Sequence, residues 1–79
     1  MTTSQLNNSK MNRIKEVLEE KGIKQKWLAE QLGKSYNMVN SYAQNRRQPS
    51  LEDLYKIAEI LNVEPAALLT DRNAPNENG

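Results

Sequence analysis

The residues best placed to do chemistry in this chain are amides and hydroxyls. Tyr36, Asn37, Asn40, Ser41 and Gln44 share one side of a helical wheel within a single short segment. Exposed helix faces usually carry Lys and Glu; this one has no charge, and a row of neutral donors and acceptors suits the hydrogen-bond patterns on base edges. Asn37 is the strongest candidate, since its carboxamide can donate to and accept from adenine in a bidentate pair. The plainer alternative for Asn37 is a solvated residue at a helix start. Lys24, Lys34, Arg46 and Arg47 lie in the turns on either side, where cations suit phosphates. Other chemistries find little support. The chain has no Cys and no His, so thiolate metal sites, the commonest metal ligand and the commonest general base are all missing. Its Asp and Glu residues form no paired, desolvatable constellation. The expectation is a non-enzyme that needs no cofactor.

Two helices broken at one glycine must position that face. Leu28, Ala29 and Leu32 give an apolar side to a helix from about Gln25 to Leu32. Gly33 accepts the left-handed backbone that ends it, and Ser35 can cap the next helix, about Tyr36 to Gln44, with Val39 and Tyr42 inward. Asn45 is a plausible left-handed terminator, because Asn tolerates positive φ better than most residues. Upstream, several candidate caps between Ser9 and Asn12 precede a stripe of Ile14, Val17 and Leu18, with Met11 at its margin, ending at Gly22. Ile23 plugs the junction. Downstream, Ser50 and Asp53 form a capping-box-like pair, and Glu52 and Asp53 suit the positive helix end. Leu51, Leu54, Ile57, Ala58 and Leu61 make a fourth core stripe. Asn62 and Val63 turn the chain, and Pro65 opens a short fifth helix through Leu69. Residues 1–9 read as a flexible arm, 10–69 as the domain and 70–79 as a disordered tail. No strand signal and no internal repeat appears.

Seventy-nine residues make one small domain with a modest core, which association with a second copy would help. No apolar run is long enough for a membrane span and no secretory leader is visible, so the cytoplasm is the expected compartment. The formal net charge of +1 hides an asymmetry. From Lys21 to Arg47 six cations face Glu30 alone, whereas from Gln48 onward six anions face Lys56 and Arg72. A basic segment coincident with the candidate reading helix, joined to an acidic remainder, fits a polyanion-binding face with a solvated back.

Over roughly Met11 to Leu69 these residues resemble the phage-repressor-like (Cro/CI, Xre) helix-turn-helix family. Its pattern is met by Gln25 opening the second helix, Leu28 and Ala29, Gly33 and Ser35, Val39, and the run Pro49, Ser50 and Leu51. The resemblance implies an all-α, compact five-helix lambda-repressor-like domain, with the third helix in the major groove and the second across the phosphate backbone. It also implies base-reading positions at Tyr36, Asn37 and Ser41, with Asn40 a frequent fourth. Gln25 and Gln44 fall at backbone-contacting positions; Lys24, Lys34, Arg46 and Arg47 join them in the flanking turns. Members commonly pair an Arg late in the first helix with a Glu ending the third. The matching residues here are Leu18 and Ala43, and their joint loss of charge predicts a repacked core with a Leu18 to Ala43 contact, not a stranded ion. Lys24 stands where a capping Ser or Thr is usual, which forgoes about 1 kcal/mol unless a phosphate serves that helix end. Lys34 replaces a residue that is often aliphatic, and Asn45 a usual Gly.

Three features invite a wider reading. Trp27, the only tryptophan, could brace a phosphate or mark a partner surface; the bland alternative is a ring covering part of the first helix. Ile60 falls on the far side of the fourth helix from its stripe with Tyr55 on the flank, so Tyr55, Ile60 and Leu68 are the candidate dimer surface, packing under the fifth helix or tail being the alternative. Met38 reads as a gap-filler. The function expected is sequence-specific binding of double-stranded DNA by a homodimeric regulator, a repressor or autoregulator on a partly palindromic operator. The rival is a helical module whose main partner is a protein, such as a toxin.

Overall fold

Helix ends are set by local chemistry, and the chain places its stops where the backbone needs them. The structure, a computed structural model, describes residues 10–70. It contains α1 (Ile14–Lys21), α2 (Gln25–Leu32), α3 (Tyr36–Ala43), α4 (Leu51–Leu61) and a 3-10 turn, Pro65–Leu68. Gly22 at φ 68° and Gly33 at φ 76° terminate α1 and α2 in the left-handed region. Asn45 and Asn62, at φ 61° and 59°, do the same after α3 and α4, where asparagine is the least strained substitute for glycine. Ser35 Oγ accepts from Met38 N at 3.1 Å and Ser50 Oγ accepts from Asp53 N at 3.0 Å, so both hydroxyls cap as expected. No side chain caps α2 at Lys24.

The helices close around one core. Ile14, Leu28, Val39, Ile57 and Leu68 are fully buried, joined by Val17, Leu18, Leu54 and Leu61. Packing joins α2 to both α3 and α4, and α1 to α3 and the 3-10 turn. Ile23, Leu32, Met38, Ile60 and Val63 are partly buried against this cluster, which gives Ile23 and Met38 the plugging and filling roles read from sequence. Leu18 and Ala43 are both buried, on helices that touch one another, so these two positions carry apolar side chains and no ion pair.

Five expectations need correction. The fifth element is a 3-10 turn and not an α-helix, giving four helices among the described residues. Four residues cannot propagate an α-helical ladder, and Leu69 is extended because its backbone bridges Asn12 in antiparallel fashion. That bridge, with no strand signal in the sequence, is reinforced by Arg13 N donating to Leu68 O at 2.7 Å. Thr70, read as tail, is tied to the start of the domain: it donates from N to Met11 O at 3.2 Å and from Oγ1 to Lys10 O at 3.0 Å. Leu51 is 69% exposed instead of core, although Asp53 in the same first turn of α4 meets Lys34. Leu68 is 0% exposed and fills the chain's own core, so it cannot belong to a dimer surface. Ile60 is half-buried and shares a shallow depression with Leu32 and Gln31, leaving only part of its side chain at the surface. The arm at 1–9 and the tail at 71–79 lie outside the described residues.

Candidate nucleic-acid interface

The outer face of α3 is assembled by the burial of its inner one. Val39, Tyr42 and Ala43 enter the core, so helical geometry turns Tyr36, Asn37, Ser41 and Gln44 outward. Tyr36 is 51% exposed; Asn37 and Gln44 are exposed, and Asn40 and Ser41 half-buried. None of these five carries a charge. The cations gather at the ends. Arg46 and Arg47 leave α3 in a loop held by its last turn, because both backbone N–H groups donate to Ser41 O, at 3.0 and 3.3 Å. Arg47 Nη1 also approaches Met38 Sδ at 3.5 Å.

Lys24 and Gln25 open α2, whose N–H groups lack a side-chain cap and form a positive helix end. The structure brings this end to α3: Asn40 Nδ2 donates to Gln25 Oε1 at 2.9 Å, and Arg46 Nη2 donates to Asn40 Oδ1 at 3.2 Å. Gln25, Asn40 and Arg46, scattered in sequence, thus form one connected group. Lys34 does not join it. Its Nζ lies 3.4 Å from Asp53 Oδ2, so the charge read as phosphate-facing is engaged at the start of α4. Asp53 correspondingly offers its carboxylate to Lys34, and only its N–H serves the Ser50 cap.

A second carboxamide cluster fixes the far end of α3. Asn12 is 1% exposed; its Nδ2 donates to Tyr42 O at 3.0 Å and to Gln48 Oε1 at 2.7 Å, while its Oδ1 accepts from Ile14 N at 3.0 Å. Asn45 answers it. Its Oδ1 accepts from Met11 N at 2.8 Å and Asn12 N at 3.0 Å, and its Nδ2 donates to Asn12 O at 3.1 Å. Asn45 therefore supplies both the backbone freedom of a glycine and an anchor for the segment entering α1. Sequence reasoning saw a candidate cap in Asn12 and a terminator in Asn45. It had no signal that they meet across more than thirty intervening residues.

Tyr55 is 58% exposed beside Leu51, and the two help line an open groove of about 730 Å³ with Ala58, Val63 and Pro65. Trp27 is 43% exposed over a smaller depression with Gly22, Ile23 and Lys24. Among the described residues no cluster of His, Cys, Asp or Glu could hold a metal, and no helix is long and apolar enough to cross a membrane.

Comparison with known proteins bears on the fold and the family. A solved structure of a candidate DNA-binding protein from Bacteroides fragilis is 52% identical, with a TM-score of 0.75, covering 76% of this chain and 97% of its own. A search of curated proteins found no match. The family model for the Cro/C1-type helix-turn-helix matches residues 14–68. With α2 and α3 broken at Gly33 and packed as that motif requires, the chain belongs to the Cro/C1-type helix-turn-helix family.

Proposed function

We propose that this protein is a sequence-specific double-stranded-DNA-binding regulator, a repressor or autoregulator that acts as a homodimer on a partly palindromic operator. In this reading α3 enters the major groove while α2 crosses the phosphate backbone. Tyr36, Asn37 and Ser41 read bases; Lys24, Gln25, Gln44, Arg46 and Arg47 hold the backbone. The observation that carries it is the separation of roles on one surface, an uncharged outer face on α3 with cations at the start of α2 and in the loop after α3. The Bacteroides fragilis relative supports the choice of DNA as ligand. The second copy is assigned to the face carrying Leu51 and Tyr55, the largest exposed apolar side chains of α4.

A mobility-shift titration at several salt concentrations tests the reading. Log affinity falls linearly with log salt, and Arg46→Ala weakens every duplex alike while lowering the slope by about 1. Asn37→Ala instead costs about 1 to 3 kcal/mol at one base position. If neither variant alters binding, α3 is not the reading helix. The apolar depression around Trp27 favours a protein partner, such as a toxin, as a second reading. Under that reading Trp27→Ala abolishes partner binding and leaves DNA affinity intact.

A further inference from the structure

Asn40 lies on the flank of α3 that faces the start of α2, about 60° round the helix from Asn37. Both ends of its carboxamide are engaged inside the protein, Nδ2 with Gln25 Oε1 at 2.9 Å and Oδ1 with Arg46 Nη2 at 3.2 Å. The chemistry fixes these orientations. A guanidinium only donates, so Arg46 requires the oxygen of Asn40; Nδ2 is then left for Gln25, which must present its own oxygen in return. One charged donor sets the direction of two amides. Gln25 Nε2 remains as a donor with no partner among the described residues, at the first residue of a helix whose uncapped N–H groups favour an anion.

We infer that Asn40 is a positioning residue: it reads no base and instead holds Gln25 and Arg46 side by side, so that an amide and a guanidinium meet one stretch of phosphate backbone together. The inference rests on the DNA-binding reading above and replaces the base-reading role that the family resemblance implies for Asn40. A bidentate base contact uses both amide atoms. Here each atom already carries one internal bond, so only one N–H and one lone pair of Asn40 are left, and a base could be met only in the orientation that Gln25 and Arg46 impose.

The test uses the full chain, a duplex recovered by selection from a random library, and a scrambled duplex of equal length. Asn40→Ala is expected to weaken both duplexes about fivefold, the effect of one lost hydrogen bond or two, with their ratio unchanged. The salt slope drops as it does for Arg46→Ala, and adding Gln25→Ala causes no loss beyond that of the stronger single variant. A re-selected motif that is relaxed at one base pair per half-site, with scrambled-duplex affinity unchanged, would overturn the inference in favour of base reading. So would additive losses in the double variant. A measurement on the free protein separates this clamp from the DNA reading itself. Gln25→Ala is expected to shift the side-chain amide resonances of Asn40, and unmoved resonances would overturn the clamp even in a chain that binds DNA well. Failure of the wild-type chain to bind any duplex would instead reject the DNA reading.

Discussion

Replacing Asn12 by Ala removes the most buried polar side chain of the domain, and the hydrogen bonds it makes allow the cost to be worked out. Three contacts disappear: the one Ile14 N–H makes to Oδ1, and those from Nδ2 to Tyr42 O and Gln48 Oε1. Gln48 is exposed and can turn to water, whereas the bonds to Ile14 and Tyr42 are buried. Tyr42 O keeps the bond from Asn45 N at 3.0 Å and loses one hydrogen bond, about 1 kcal/mol, whereas the Ile14 N–H is left unpaired at about 1 to 3 kcal/mol, so the expected loss is about 2 to 4 kcal/mol. A domain of this size has about 3 to 9 kcal/mol in all, at 0.05 to 0.15 per residue. The variant therefore stands near the limit of folding, with its thermal midpoint lowered by at least about 8 °C. Urea unfolding followed by far-ultraviolet circular dichroism measures it, with the denaturant slope unchanged and Glu19→Ala as an exposed control that stays within about 0.5 kcal/mol. A loss for Asn12→Ala no larger than that control would refute the reasoning, because it would mean that the carboxamide cluster joining α1 to the end of α3 contributes nothing.

Three further outcomes are expected. Asn45→Gly relieves about 1 kcal/mol or more of left-handed backbone cost but removes the hydrogen bonds to Met11, Asn12 and Gln48; a net loss of about 1 to 2 kcal/mol in the same urea assay is expected, and a gain would show that backbone strain dominates. Lys34→Ala leaves the salt slope of DNA binding unchanged, since its ammonium is engaged by Asp53; a drop comparable to that of Arg46→Ala, about 1, would return Lys34 to the phosphate contacts. Tyr55→Glu converts a sedimenting dimer to a folded monomer by placing a charge on an apolar contact, and a dimer that persists would move the interface to another face.

Much of the helical frame was legible because its signals are local. Gly22, Gly33 and Asn62 end helices in the left-handed conformation that their types permit, and Ser35 and Ser50 donate no ambiguity to the starts of α3 and α4. The period of Ile14, Val17 and Leu18, or of Leu54, Ile57 and Leu61, marks buried faces equally well. Periodicity fails at element ends. Leu51 keeps the register of its stripe but lines an open groove at the start of α4, and Leu69 follows Pro65 in a segment whose backbone is claimed by Asn12. The remaining differences are long-range. Nothing in the order of residues shows that Lys34 meets Asp53, that Asn12 meets Asn45, or that Asn40 lies between Gln25 and Arg46. These pairings depend on how the helices pack, and they decide which polar side chains are engaged within the fold and which are presented outward.

The central claim is that the outer face of α3 recognises a DNA sequence. Selection of bound duplexes from a random library tests it most directly. The expected result is an enriched motif with two-fold symmetry and half-sites about one helical turn, roughly 34 Å, apart, which loses one defined base preference per half-site when Asn37 is replaced by Ala. Recovery of duplexes with no common motif, or a motif that Asn37→Ala leaves unchanged, would contradict it.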